Sequence, residues 1–222
     1  KLDRTGASFE GSYQSILERL TPNAVPIQIP IGLENNFDGV IDLLKMKAYR
    51  FEGEKGEKII EEEIPANLLE EAKKYRHQLV EKVVEQDDDL MAHYLGGQEP
   101  SLESLKKALR KATIANTVVP VVCGSALKNK GVQLVLDAVI DYLPSPLDLP
   151  PVKGLDLKSS AEITREASDE APLSALAFKI ASDPFVGTLT FFRVYSGIMK
   201  RGTYILNSTK GVTERIGRIL RM

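Results

Sequence analysis

A short apolar run near the middle of the chain constrains the fold most. Residues 118–123 are continuously apolar, Gly124 follows them, and residues 131–142 carry apolar side chains at helical spacing. A strand buried on both faces and followed by a helix is typical of a mostly parallel sheet. The side chains predicted to point inward from this helix are Val132, Val135, Leu136, Val139 and Leu143. This βα unit predicts an α/β domain that binds ligands beyond the carboxyl ends of its strands.

The residues before this unit alternate between helix and strand patterns. Residues 7–20 predict a helix, residues 66–94 predict one long helix with an apolar stripe, and Ser101 is a favourable N-cap for a further helix. The predicted strands lie at residues 25–31, 39–44, 47–51 and 57–62. We therefore expect a mixed α+β region ahead of the βα unit.

A proline-rich stretch divides the chain. Residues 144–172 hold five of the twelve prolines and no periodic apolar pattern, so they predict an interdomain linker. Residues 173–222 contain four short strand patterns separated by turns, which indicate the first strands of an antiparallel β-barrel. The predicted domains are residues 1–31 with 117–143, an inserted subdomain at 32–116, the linker at 144–172 and the barrel strands at 173–222.

Composition excludes several classes of protein. One Cys and two His among 222 residues exclude a disulfide framework and a multi-cysteine metal site. No apolar run approaches the roughly 18 residues that span a bilayer, and the chain opens on charged residues rather than a signal peptide. The aspartates at 87–89 lack the spacing of a calcium loop. We expect a cytoplasmic protein with no metal site in these residues and no membrane partner.

The formal net charge of −2 hides a segregation of charge. Residues 52–103 carry 15 acidic and 6 basic side chains, whereas residues 173–222 carry 2 acidic and 8 basic ones. This pattern suggests two faces for two kinds of partner, the basic one phosphate-rich. The alternative for the acidic segment is an ordinary solvated helix surface.

Two loops at the predicted sheet edge carry groups suited to a purine base. Lys1 and Asp3 precede the first helix, and Ser125, Ala126 and Leu127 follow the buried strand. An Asp carboxylate can accept hydrogen bonds from N1–H and the N2 amino group of guanine, whereas adenine presents a lone pair at N1. The Lys methylenes can cover the base, and a backbone N–H such as that of Ala126 can donate to O6. The patterns Lys-x-Asp at residues 1–3 and Ser-Ala-Leu at residues 125–127 are each common by chance, and an ordinary turn is the alternative for either of them.

Longer segments resemble a known family. The segment KLDRTGA at residues 1–7 resembles the N-K-x-D-R-x-G-A segment of translational GTPases without its Asn, and GSALKNKG at residues 124–131 resembles their last guanine-binding loop. Segments that closely match bacterial-type elongation factor G are DYLPSP at 141–146, DPFVG at 183–187 and FFRVYSG at 191–197. The large insertion between the guanine motifs, here residues 32–116, is typical of this family, and the chain is identified as similar to it.

The resemblance implies the second half of a P-loop GTPase domain with a mostly parallel sheet, an inserted α+β subdomain and the start of an antiparallel β-barrel. It implies a monomeric GTPase that uses GTP/GDP and Mg²⁺, drives ribosomal translocation of tRNA and mRNA, and assists ribosome recycling. By position, Asp3 is the base-specificity carboxylate, Lys1 packs on base and ribose, and Ser125 and Ala126 form the O6 loop beside Leu127.

The same resemblance places the catalytic parts elsewhere. The phosphate loop, the switch regions, the Mg²⁺ ligands and the water-orienting His are expected upstream of Lys1. These residues then contain no catalytic group, and alone they are expected to hydrolyse no GTP. The barrel is expected to continue beyond Met222.

The resemblance also gives the charge pattern a meaning. The acidic helix region, residues 66–94, is expected to meet the stalk protein of the large ribosomal subunit, and the basic strands are expected to rest on small-subunit ribosomal RNA. Candidate RNA contacts are Arg193, Lys200, Arg201, Arg215, Arg218 and Arg221. The competing hypothesis is a non-enzymatic ribosome-binding adaptor that has no phosphate loop.

Overall fold

The computed structural model describes residues 1–53, 55–157 and 159–221. Contacts divide the chain into a first unit, Lys1–Leu143, and a second unit, Pro144–Met222. The first unit combines helices with a parallel strand pair and an antiparallel sheet, and the second consists of hairpins. The broad prediction of a mixed α/β fold followed by antiparallel strands is therefore confirmed.

The first unit begins with helix α1, Phe9–Arg19, whose N-cap Ser8 accepts a hydrogen bond from the Gly11 amide. The strand predicted at residues 25–31 is two strands in two sheets. Strand β1, Ala24–Pro26, pairs in parallel with β6, Val119–Val121, and β2, Gln28–Ile31, belongs to an antiparallel sheet. The parallel pairing predicted from the βα unit is present, with two strands in the described residues.

The antiparallel sheet has the order β2-β3-β4-β5. Its strands are β2 (Gln28–Ile31), β3 (Gly39–Asp42), β4 (Lys47–Glu52) and β5 (Lys58–Glu62). Ile27 joins the two sheets because its N–H donates to Val121 while its carbonyl accepts from Leu43. The predicted domain boundary between residues 31 and 32 therefore falls after a strand that pairs with the insertion, and so divides this sheet.

The prediction of a single long helix at residues 66–94 is wrong. The structure has α2, Leu69–Val84, and α3, Asp88–Leu95, separated by a short break. Asp87 has an extended backbone, and its side chain accepts a hydrogen bond from the Leu90 amide, so it starts a new helix. The predicted N-cap at Ser101 is confirmed, because its hydroxyl accepts from Ser104 at the start of α4, Leu102–Ile114.

Helix α5, Val132–Tyr142, forms as predicted, but its predicted inward face is not buried. Leu136 and Val139 are 59% and 45% exposed, and Leu143, just beyond the helix, is also exposed. The parallel sheet in the described residues has only two strands, so it offers little surface to cover. The helix instead contacts α4, where Lys106 and Asp141 form an ion pair of 2.6 Å.

One continuous apolar core fills the first unit. It joins residues from both sheets with residues from α2 and α4. Its largest fully buried side chains include Ile29, Ile41, Leu79, Leu105 and Leu109. Burial of a side chain of this size contributes about 1.5–3 kcal/mol each, so the insertion and the βα unit stabilise each other.

Three hairpins are present in the described residues of the second unit. The first pairs β7 (Val152–Leu155) with β8 (Glu162–Arg165), the second pairs β9 (Ser174–Asp183) with β10 (Gly187–Ser196), and the third pairs β11 (Tyr204–Asn207) with β12 (Val212–Arg215). The stretch 144–172, predicted as a linker, therefore contains paired strands. Within the described residues these hairpins do not close into a barrel.

No helix in the described ranges is both long enough and apolar enough to span a bilayer.

Arg76 anchors α2 to the antiparallel sheet. Its guanidinium donates to the carbonyls of Leu43 and Leu44, each at 2.8 Å. Replacing it by Met leaves these acceptors without their charged donor, and we expect Arg76→Met to lower the free energy of unfolding by about 1.5–3 kcal/mol. Urea unfolding followed by circular dichroism measures the loss. The matched control is Lys73→Met, which removes only an exposed ion pair with Glu70, and equal losses in both variants would contradict this account.

Cys123 ends the buried strand region and is the chain's single thiol. Burial raises the pKa of Cys123 to about 12, which keeps the thiol protonated at neutral pH. Because the thiolate is the reactive form, we expect no reaction with a disulfide reagent in the folded protein and full reaction after denaturation. The absorbance of the thiolate that the reagent releases measures the reaction, and the Cys123→Ser variant is the blank. Rapid labelling of the folded protein would show that the thiol is accessible.

Candidate functional site

Two loops that are far apart in sequence meet at one edge of the first unit. The main-chain nitrogen of Lys1 donates to the Gly124 carbonyl at 3.0 Å, and the Leu2 amide donates to the same oxygen at 3.3 Å. The Ser125 hydroxyl donates to Asp3 Oδ1 at 2.6 Å, although 122 positions separate these residues. The structure therefore brings the two predicted groups of base-binding residues together.

The second loop, residues 124–131, is closed on itself. The amide of Ser125 donates to the Lys130 carbonyl at 2.9 Å, and the Lys130 amide donates back at 3.0 Å. Two glycines make this closure possible. A Cβ on Gly124 would lie 2.5 Å from the Lys130 carbonyl oxygen, and Gly131 has a φ of +92° with its Cβ position 2.9 Å from the Cys123 oxygen. Any larger residue at either position would force the loop apart.

Ser125 is the buried centre of this arrangement. It is 1% exposed, and its hydroxyl both donates to Asp3 and accepts from the Lys128 amide at 3.3 Å. With its hydroxyl engaged inside the protein, the side chain orients the Asp3 carboxylate. A ligand at this edge would meet the carboxylate and the exposed parts of the loop.

The electrostatics of Asp3 follow from this contact. The hydrogen bond from Ser125 is the main cause that holds the pKa of Asp3 below its ordinary value, and desolvation acts in the opposite direction. Asp3 is therefore ionised at neutral pH and acts only as an acceptor. A ligand edge that presents two adjacent donors would match it.

The other predicted site residues lie at the surface around this carboxylate. Lys1 and Ala126 are exposed, and Leu127 is 78% exposed. The site thus consists of an oriented anion, a flexible cationic side chain and an exposed loop whose backbone is fixed by its own hydrogen bonds. This arrangement can bind a flat, polar ring and read the donors along one of its edges.

The sequence did not indicate the hydrogen bonds that join these loops to the insertion. The Glu34 carboxylate accepts from the Gly6 amide at 2.6 Å, and Lys130 Nζ donates to the Phe37 carbonyl at 3.2 Å. Asn129 and Gln133 bond to the turn between β4 and β5. Glu34 and Gln133 are ordinary polar residues outside any motif. Asn129 and Lys130 lie in the segment at 124–131 that resembles a guanine-binding loop, but nothing in that segment indicated their contacts with the insertion.

The six basic residues predicted to contact RNA are all exposed. Lys200 and Arg201 lie in the turn before β11, and Arg215 ends β12. The Gly202 amide donates to the Ile216 carbonyl and the Ile216 amide donates to the Thr203 carbonyl, which holds these positions at one end of the hairpin. Arg218 and Arg221 follow β12, and Arg193 lies on β10 with its guanidinium 5.3 Å from the Tyr195 ring centre. A phosphate-rich partner could reach each of them.

The acidic helices α2 and α3 expose most of their carboxylates, including Glu70, Glu71, Glu81 and Glu85. His77 on this surface lies 3.2 Å from Glu81 and 3.0 Å from the Tyr94 hydroxyl. Across the described ranges, no group of three or more His, Cys, Asp or Glu side chains is placed to hold a metal ion.

Comparison with known proteins gives structural relatives but no matching family model. No protein-family model matches the chain. The crystal structure of ttk003000868 from Thermus thermophilus is similar to it, with a TM-score of 0.74 and 28% sequence identity. The match covers 97% of this chain and 29% of that one, so the chain spans less than a third of that protein's length. The chain shares the fold of a segment of that larger protein.

Proposed function

We propose that this chain is the guanine-recognising part of a translational GTPase of the elongation factor G type. The observation that carries the proposal is the 2.6 Å hydrogen bond from Ser125 to Asp3, which unites two loops that resemble the guanine motifs of that family. Such a protein would use GTP hydrolysis to drive tRNA and mRNA through the ribosome and to assist recycling.

The chemistry of the site supports guanine over adenine. The Asp3 carboxylate, oriented by Ser125, has acceptor capacity left for N1–H and the N2 amino group of guanine. The methylenes of Lys1 would cover the base while its ammonium stays in water. The exposed backbone at Ala126 would supply a donor to O6, beside Leu127. Adenine offers a lone pair at N1 and an amino group at the O6 position, so it would be repelled at both.

The remaining parts of the proposal concern partners. The exposed carboxylates of α2 and α3 suit a basic or helix-binding partner such as the large-subunit stalk protein. The basic residues around β10 and β12 suit small-subunit ribosomal RNA, and that contact should weaken as salt rises. GTP/GDP would be the nucleotide. Mg²⁺, held by groups outside these residues, would neutralise phosphate charge. A cytoplasmic monomer is part of the same proposal.

The gene that encodes this chain provides a direct test. If the proposal holds, the codons upstream of Lys1 encode an Asn immediately before it and a G-x-x-x-x-G-K-[ST] phosphate loop further upstream. Sequencing the gene decides this. A coding region without a phosphate loop would overturn the GTPase assignment and favour the non-enzymatic ribosome-binding adaptor.

Asp3→Asn tests the base contact in the full-length protein. The amide presents a donor where guanine also has a donor and where xanthine has an acceptor. We therefore expect GDP affinity to fall about 10- to 100-fold and xanthosine diphosphate affinity to rise. Competition binding with both nucleotides measures the change. Asp137→Asn, which removes an exposed carboxylate on α5, is the charge-matched control, and unchanged GDP selectivity in Asp3→Asn would refute the contact.

Ser125→Ala tests how the carboxylate is held. Without the hydroxyl the pKa of Asp3 should rise toward its ordinary value, because that hydrogen bond is the main cause of its lowering. Since guanine needs the ionised carboxylate, binding is lost as pH falls through this pKa, and the loss should begin at higher pH in the variant. GDP affinity measured across the acidic range, with Ser125→Thr as the variant that keeps the hydroxyl, gives the shift. Identical pH profiles for all three proteins would contradict this role.

A further inference from the structure

We propose that the segment inserted between the two guanine loops holds both loops in their binding geometry, with Asn129 and Gln133 as positioning residues that slow nucleotide release. This inference rests on the proposed function, because it concerns the same site. Its basis is a set of hydrogen bonds from two turns of the insertion to the loops at residues 1–6 and 124–131.

The first turn, at residues 34–38, contacts both loops. The Glu34 amide donates to the Leu2 carbonyl at 2.7 Å, and the Glu34 carboxylate accepts from the Gly6 amide at 2.6 Å. Glu34 therefore brackets Asp3 with one bond on each side. Its φ of +56° is unfavourable for a residue with a side chain, so the surrounding contacts maintain a strained backbone here.

The same turn reaches the second loop through Lys130. Lys130 Nζ donates to the Phe37 carbonyl at 3.2 Å and lies 3.5 Å from the Asp38 carboxylate. Arg50 of β4 also pairs with Asp38, which ties the turn to the antiparallel sheet. A rigid sheet thus supports the turn that supports the loops.

In its described residues, the second turn, between β4 and β5, contacts the second loop and the start of α5. Asn129 Nδ2 donates to the Lys55 carbonyl at 2.9 Å, and Gln133 Nε2 donates to the Gly56 carbonyl at 3.1 Å. The approach is close, because a Cβ on Gly56 would lie 2.7 Å from the Lys128 carbonyl oxygen. These bonds fix the side of the loop opposite to its contact with Asp3.

The consequence for nucleotide release follows from the geometry. Each loop is a short irregular segment, and such segments open more readily than paired strands. The loop at 124–131 would touch the base through its backbone, so its position sets how well O6 is bound. Hydrogen bonds that hold this loop in place raise the barrier to the loop movement that releases the nucleotide.

Asn129→Asp is the sharpest test, made in the full-length protein. Asn129 has a φ of +51°, a conformation that Asn and Asp both tolerate, so the variant removes the donor and keeps the backbone. We expect fluorescent GDP to dissociate about 2- to 10-fold faster, as for a lost neutral hydrogen bond. A stopped-flow chase with excess GDP measures the rate. Gln133→Met, which removes the donor without placing a charge where Gln133 Oε1 is buried, should also speed release.

Further measurements separate positioning from general damage. The thermal midpoint should stay unchanged, and the acceleration should persist at high salt, since a through-space effect of the new charge would be screened. GDP and inosine diphosphate should both leave faster by the same factor, because they share O6 and differ only in the amino group that Asp3 would bind. Glu34→Ala removes a bond to the loop that carries Asp3. This variant should instead reduce the preference for GDP over inosine diphosphate.

Glu52→Gln is the matched control, because it breaks an ion pair with Lys58 in the same hairpin without touching either loop. Its release rate should equal that of the unmodified protein. Wild-type release rates in both Asn129→Asp and Gln133→Met, in a protein that binds GDP, would overturn this inference and leave the proposed function standing. Failure of the unmodified protein to bind guanine nucleotide would overturn the proposed function and the inference with it.

Discussion

The parallel pairing of β1 with β6 is the constraint on which the rest of the first unit depends. Ala24, Val25 and Pro26 lie opposite Val119, Pro120 and Val121, and backbone bonds at both ends close the pair. This contact closes a long loop that contains the whole insertion, at an entropic cost that the shared apolar core must offset. Because both strands run in the same direction, the segments beyond them approach the same edge. The loop at 124–131 follows β6, and residues 1–3, which precede α1, reach it through hydrogen bonds to Gly124 and Ser125.

At that edge the buried hydroxyl of Ser125 joins the two loops by its hydrogen bond to Asp3. It fixes one oxygen of Asp3 and keeps the carboxylate ionised, while the closed loop presents its backbone to solvent. The insertion then contributes from outside the pair. Between them, its turns at residues 34–38 and at Lys55 and Gly56 bond to both loops, so the inserted sheet is a structural support of the candidate site.

Several elements were predictable because their signals are local. The cap at Ser101, the strands at β3 to β5 and the helix α5 each follow from short-range patterns of apolar and capping residues. Other elements were not. The break at Asp87 depends on a competition between helix continuation and N-capping that the apolar stripe alone does not resolve. The exposed face of α5 depends on which elements the helix contacts in the fold, and the paired strands at 152–165 form through backbone bonds between residues with little periodicity.

The sequence by itself determined which groups are available: Asp3, Lys1 and the loop at 124–127 for the proposed purine site, and separate acidic and basic segments. These are properties of residue type and order, so they can be read without coordinates. Only the tertiary structure decided how those groups act. It buried Ser125 as the support of Asp3 and used Glu34, Asn129 and Gln133 to hold the loops. The reason is physical: a hydrogen bond between residues 122 positions apart depends on a fold that brings them into contact, and no local pattern encodes that distance.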